Sequence, residues 1–262
     1  MHNVQQAIWV EVLKARRSKM PLATLLFFAL APFVGGFFMI VLKDPAMARR
    51  LGMISAKAQI VAGSADWPTY LGLLAQAIGI GGIVIFSFIA SWVFGREYAD
   101  HTVKDLLALP TARAAIVLAK FGLIGIWSAL LTAAIYLIGL GVGVAVVLPP
   151  ASADVFQQGT ITIAITAGLI VALVTPIAFF ASAGRGYMPP MGAALLFVFL
   201  AQIIAAAGWG EYFPWSIPAL RSGMAGPAYA ELGAVSYVIV LLTSILGAIA
   251  TFAWWEVADQ NQ

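Results

Sequence analysis

Long apolar runs separated by short polar stretches organise the chain. A membrane-spanning helix needs about 20 mostly apolar residues. Six runs meet that length: Pro21–Leu42, Tyr70–Phe94, Phe121–Leu148, Val155–Ala183, Tyr187–Gly208 and Leu232–Trp255. None contains Asp, Glu, Lys, Arg or His. The third run is long enough to tilt or to extend past the bilayer. The pattern predicts an all-α polytopic membrane protein, with residues 1–262 forming a single transmembrane domain. The first run exceeds the short apolar core of a cleaved signal peptide, and Pro32 follows its weak Ala29-Leu30-Ala31 cleavage-like site, so it is expected to be retained.

Three stretches outside the runs carry a readable pattern. Residues 1–20 read as an amphipathic helix, with Val4, Ile8 and Val12 in one stripe and Trp9 and Leu13 beside it. Gln5, Glu11, Lys14, Arg16 and Arg17 form the polar side, whose basic end suits an anionic inner leaflet. Anchoring to membrane lipid and contact with a partner are both open to this helix. Residues 95–113 read as a short helix from Arg96 to Leu109. Arg96, Asp100 and Lys104 alternate in sign at i, i+4 spacing, and Val103, Leu106 and Leu107 supply an apolar patch. Pro110 ends that helix, and Thr111 is placed to cap the next one. Docking onto a cytoplasmic partner and a plain solvated loop helix are equally compatible with these residues. Residues 209–231 are rich in aromatics and proline, with Trp209, Tyr212, Phe213, Pro214 and Trp215 near the start. They suit an interfacial belt or a re-entrant element shaping an outer gate.

Composition sharpens this picture. The 262 residues are 62% hydrophobic and 10% charged, against about 25% charged in a soluble domain. The net charge of +3 reflects basic loops rather than nucleic-acid binding. With the N-terminus inside, nine of the 14 basic residues fall in the cytoplasm, against five outside in the Lys43–Lys57 cluster and at Arg221. Both termini are therefore expected inside.

Several chemistries lack their residues. Cysteine is absent, and the two histidines, His2 and His101, lie outside the runs. Proton relays, ion sites, a Ser–His pair at depth and a His/carboxylate metal cluster are not available. No GxxxxGK[ST] loop occurs, so ATP is not expected to bind here through a P-loop. Active transport would take its energy from another polypeptide. Within the spans, Gly139 and Gly143 form a GxxxG pair, open to bundle packing or a dimer contact. Pro32 and Pro176 are expected to kink their helices.

Taken together, Phe94-Gly95-Arg96-Glu97-Tyr98, Thr102, Leu109-Pro110, Arg113 and Lys120 resemble the pattern of the ABC-2 type permeases, the membrane subunits of a class of ABC exporters. One departure is visible: His101 stands where the family often has Gly before Thr102. Phe213-Pro214-Trp215-x-x-Pro218 is similar to smaller members related to bacitracin and lantibiotic self-protection exporters.

The resemblance implies two permeases, identical or related, working with two copies of an ABC ATPase that holds the ATP and Mg. It implies that Gly95, Arg96, Glu97, Asp100, Thr102, Lys104, Pro110 and Arg113 belong to the ATPase-coupling loop. Trp9, Glu11, Arg16 and Arg17 would lie on the interface helix. The chain itself would hold no cofactor and perform no catalysis. The usual cargoes are hydrophobic peptides, drugs, lipids or lipid-linked glycans. A membrane scaffold or sensor driven by the same ATPase is the rival reading.

Overall fold

The computed structural model describes residues 2–44, 64–104, 111–226 and 232–257. Arg49, Arg50 and Lys57 of the second basic cluster lie outside the described residues. So do Leu106, Leu107, Leu109 and Pro110 of the loop after the second span.

The chain forms α1 (His2–Arg17), α2 (Met20–Lys43), α3 (Trp67–Ala99), α4 (Arg113–Ala145), α5 (Ala153–Ala183) and α6 (Met188–Ala206). Two 3₁₀ turns, Gly210–Tyr212 and Pro214–Ser216, lead into the short α7 (Ile217–Arg221) and then α8 (Ala234–Val257). Among the described residues, six helices, α2 to α6 and α8, are long and apolar enough to cross a membrane. The architecture is thus all-α with six spans.

The central helix is α3. Most of its apolar window is buried by protein, whereas α6 and α8 expose most of theirs. It packs chiefly on α5, which packs in turn on α8, while α1 and α2 lie against α4.

Small residues allow these contacts. A Cβ on Gly139 would sit 2.5 Å from Leu74, and one on Gly143 would sit 2.4 Å from the Trp67 ring. The GxxxG pair therefore packs α4 onto α3 within one chain. A Cβ on Gly247 of α8 would sit 2.4 Å from the Pro176 nitrogen. Pro176 has no N–H for the carbonyl of Ala172, and Thr175 Oγ1 donates to that carbonyl at 3.0 Å. The same hydroxyl lies 2.7 Å from the Ser244 carbonyl of α8. A proline is thus tolerated at depth because its freed acceptor finds a side-chain donor.

The polar stretch after the second span departs from the expected short helix. Residues 95–99 continue α3, because this last turn is packed against α1, α4 and the turn between α5 and α6. The break comes at His101, whose φ is 57°. Thr102 N–H closes the turn by donating to the Glu97 carbonyl at 2.9 Å. This left-handed stop favours glycine, and it falls where the family pattern has one. Lys104 lies beyond the break, so it does not continue the Arg96–Asp100 row. Thr111 does not cap α4: the cap position is Ala112, with no side-chain bond.

Candidate functional site

At one end of the bundle, α1, the last turn of α3 and the first turns of α4 bring four charges into a closed ring. Lys14 Nζ donates to Glu11 Oε1 at 2.7 Å and to Glu97 Oε1 at 2.8 Å. Lys120 Nζ donates to Glu97 Oε1 at 3.2 Å and to Glu11 Oε2 at 3.4 Å. Each carboxylate faces both ammonium groups, and the ring is neutral.

Burial makes the ring expensive to break. Glu97 is 3% exposed, Glu11 5% and Lys120 0%. A buried charge needs a partner and its hydrogen bonds. Lys120 has three N–H groups and three acceptors, the third being the Val93 carbonyl at 2.8 Å. Glu97 Oε2 accepts from Thr102 Oγ1 at 2.8 Å, which ties the turn after α3 to the same carboxylate. Lys14 is the most open member. Burial alone would lower its pKa, but Glu11 and Glu97 outweigh that and hold it above the ordinary lysine value.

The ring overturns two expectations. Glu11 was placed on the solvated side of the N-terminal helix, yet it faces the bundle with Ala15. Trp9, by contrast, is 61% exposed, and Arg16 and Arg17 are also exposed. The helix is rotated because two buried carboxylates best satisfy a buried lysine from α4. Lys120, expected among the cytoplasmic basic residues on the helix leading into the third span, lies on that helix but has no exposed surface. Lys14 and Lys120 are the members that reading for the coupling loop missed. The available signal was Lys120 standing alone in an otherwise apolar stretch from Ala114 to Leu148.

The other coupling-loop residues are divided. Gly95 lets the backbone of Gly186 approach, since a Cβ would sit 2.7 Å from that carbonyl oxygen. Arg96 lies over the Trp92 ring at 4.8 Å and pairs with Asp100 at 3.8 Å. Arg113 sits elsewhere at this end. Its Nη1 donates to the carbonyls of Trp255 at 3.0 Å and Glu256 at 2.7 Å, so a cation caps the C-terminal end of α8. Trp255 is itself buried, donates to Ser182 Oγ at 3.0 Å, and packs on Phe94 and Tyr98. Lys104 is exposed, and Pro110 is outside the described residues.

The opposite end is built from aromatics. Trp209 and Tyr212 are exposed, whereas Trp215 is 8% exposed and stacks on Phe197 at 3.9 Å. Phe213 and Pro214 are half-buried between them. The segment then folds back along α3. A Cβ on Gly79 would sit 3.2 Å from the Pro218 carbonyl, at a point about 18 Å along α3 from Trp67. Between α3, α6 and α7 lies a cavity of about 260 Å³, lined by Gly79, Ile83, Ala201, Gln202, Trp215 and Leu220. Among the described residues, no group of three His, Cys, Asp or Glu could hold a metal.

Over 179 residues the chain is 28% identical to the bacitracin transport permease protein BCRB of Bacillus licheniformis. That alignment covers 68% of this chain and 85% of that protein. Residues 7–201 match the ABC-2 family transporter proteins, whose members are non-catalytic membrane permeases that pair with ATPase subunits. The match takes in the whole ring, from Glu11 to Lys120, and more than half of the chain: this protein belongs to the ABC-2 transporter family.

Proposed function

We propose that this permease exports a hydrophobic or amphiphilic cargo across the cytoplasmic membrane, powered by a partner ATPase. Two permeases assemble with two ATPase subunits. The charged end and both termini face the cytoplasm, as the excess of basic residues in those loops favours. The observation that carries this reading is the Glu11–Lys14–Glu97–Lys120 ring. It joins the N-terminal helix, the second span and the third span into one unit at the base of the following loop. A push on that loop or on α1 would move two spans together rather than bend one. Arg96, Asp100, Thr102 and Lys104, with the exposed Arg16 and Arg17, offer the ATPase a polar face. At the other end, Trp209, Phe213, Pro214 and Trp215 form the outer gate, as a re-entrant element over the cavity beside α3 and α6. That cavity is mostly apolar, which suits an amphiphile. The relative's name makes bacitracin the first cargo to test.

The test is export from proteoliposomes containing the permease and its ATPase. Glu97→Gln alone leaves the ring with one excess positive charge, so it changes stability as well as coupling. Glu97→Gln/Lys14→Met restores neutrality and is the cleaner variant. The expected result is a folded complex that still hydrolyses ATP but no longer moves bacitracin. Wild-type export rates in the double variant would defeat the coupling role. A wild-type complex whose ATPase works while no cargo crosses would replace the exporter reading with the scaffold.

A further inference from the structure

The wall of the cavity between α3, α6 and α7 contains no Asp, Glu, Lys, Arg or His. Three of its side chains carry polar atoms: Gln202, Trp215 and Ser216. Ser216 Oγ is committed, since it donates to the Ala201 carbonyl at 3.1 Å. The Gln202 carboxamide and the Trp215 indole nitrogen have no hydrogen-bond partner among the described residues. Trp215 is nearly buried, whereas Gln202 is exposed and can be reached.

A free carboxamide is unusual among the polar groups of these spans. Thr132, Thr160, Thr243 and Thr251 each donate to the carbonyl four residues earlier in their own helix. Short hydroxyl side chains can satisfy themselves in this way. Gln202 does not, although it lies within the fifth apolar run. Its amide carries two N–H donors and a carbonyl acceptor. Set against hydrocarbon, it would leave them all unsatisfied at a cost of several kcal/mol. Lipid tails are therefore a poor partner for this part of the wall.

The chemistry of the amide narrows what suits it. A charged group would enter an apolar cavity whose wall offers no counter-charge. An ester or ether brings acceptors only, so it leaves Gln202 Oε1 unmet. A peptide unit answers both halves: its N–H donates to Oε1, and its carbonyl accepts from Nε2. The apolar remainder of the wall, with Ile80, Ile83 and Leu220, suits the flanking side chains.

We propose that Gln202 is a specificity-determining residue of this cavity, reading neutral peptide units of the cargo through a two-point amide pair. This rests on the export reading and narrows it, from any hydrophobic or amphiphilic cargo to one that presents peptide groups.

The test uses the permease with its ATPase in lipid nanodiscs without nucleotide, so that binding is read apart from export. The probe is an acetylated leucine–photoleucine–leucine N-methylamide, whose diazirine side chain marks where it sits. A second probe has ester links in place of the two inner amides. Labelled peptides are identified by mass spectrometry. The expected result is labelling concentrated on the outer half of α6 and on residues 215–225, with the amide probe favoured about fivefold, the worth of one hydrogen bond. Gln202→Leu should melt like the wild type, because the amide has no protein partner to lose. It should keep labelling at the cavity but bring the two probes to equality. Equal labelling by both probes in the wild type, or a preference that survives in Gln202→Leu, would overturn the assignment. So would labelling spread evenly around the bundle. The chain has no cysteine of its own, which allows one more arm: an unlabelled cavity, with a Gln202→Cys variant that forms a disulfide-linked permease dimer, would give this amide to the subunit interface instead. A complex that labels as expected while nothing crosses in proteoliposomes would defeat the export reading alone.

Discussion

The two ends of the bundle are held by different forces. At the charged end, four ionised groups, three of them buried, lock α1, α3 and α4 in one arrangement. Each ammonium has fixed acceptors, and a displacement of an ångström or two would strand a charge in a low-dielectric interior. At the aromatic end, Trp215, Phe197 and Phe213 meet through ring faces around a cavity. Ring contacts have broad minima and carry no charge to strand. The contrast teaches that rigidity and adaptability can be assigned to opposite ends of the same helices. Under the proposed function, the rigid end receives a mechanical input and the adaptable end meets cargo.

The comparison can be broken most strongly at Lys120. Lys120→Met removes one of two cations from between two buried carboxylates, and should cost about 3–5 kcal/mol. Thermal unfolding in detergent would detect it as a lower midpoint or as lost expression. Lys120→Met/Glu97→Gln restores neutrality and should recover most of the loss. If the double variant is as unstable as the single, packing rather than charge balance holds this end.

Trp215→Ala attacks the other end. Truncating a buried tryptophan typically costs about 3 kcal/mol or more. Here the loss should stay local, because the segment is anchored separately by Ser216 Oγ to the Ala201 carbonyl and by Ser236 Oγ to the Glu211 carbonyl. Hydrogen exchange should quicken in residues 209–226 and remain slow in the last turn of α3. Faster exchange at both ends would mean that the two are not independent.

A smaller effect is expected at His101, where the backbone is left-handed. His101→Gly should stabilise the turn by about 0.5 kcal/mol, whereas His101→Val should destabilise it by about 1–2 kcal/mol. Parallel melts of the two variants check the sign. The smallest effect is a pH dependence through Lys14. Its pKa is raised by the ring, so its contribution is present in full below the ordinary lysine value of 10.5 and is lost as pH rises through the higher folded value. The stability gap between wild type and Lys14→Met should therefore be constant from neutral to mildly alkaline pH. It should shrink only in strong alkali.

Much of this was legible in the residues themselves. Unbroken apolar runs locate six spans because lipid tolerates few other patterns. The ends of those helices were less legible. The second span runs five residues past Phe94, because Arg96, Glu97 and Tyr98 are sheltered by neighbouring helices rather than by lipid. Lys120 and Glu11 look like surface charges in a linear reading, since a hydropathy pattern assigns a charge to water by default. Their burial depends on partners 23 and 109 positions away from Lys120, a pairing that local spacing does not encode.

The sequence alone therefore determined the membrane class, the six spans and the absence of charge from their apolar runs, because transfer into lipid is a sum over single residues. Its family pattern also marked Glu97. Only the tertiary structure decided that Glu97 is one quarter of a neutral ring, that the N-terminal helix turns Glu11 inward and Trp9 outward, and that Gly139 and Gly143 close a contact within one chain. Those are properties of pairs and clusters. A buried charge is tolerated only where the fold brings its counter-charge, and a GxxxG pair serves the bundle or a dimer only according to what the fold sets opposite it.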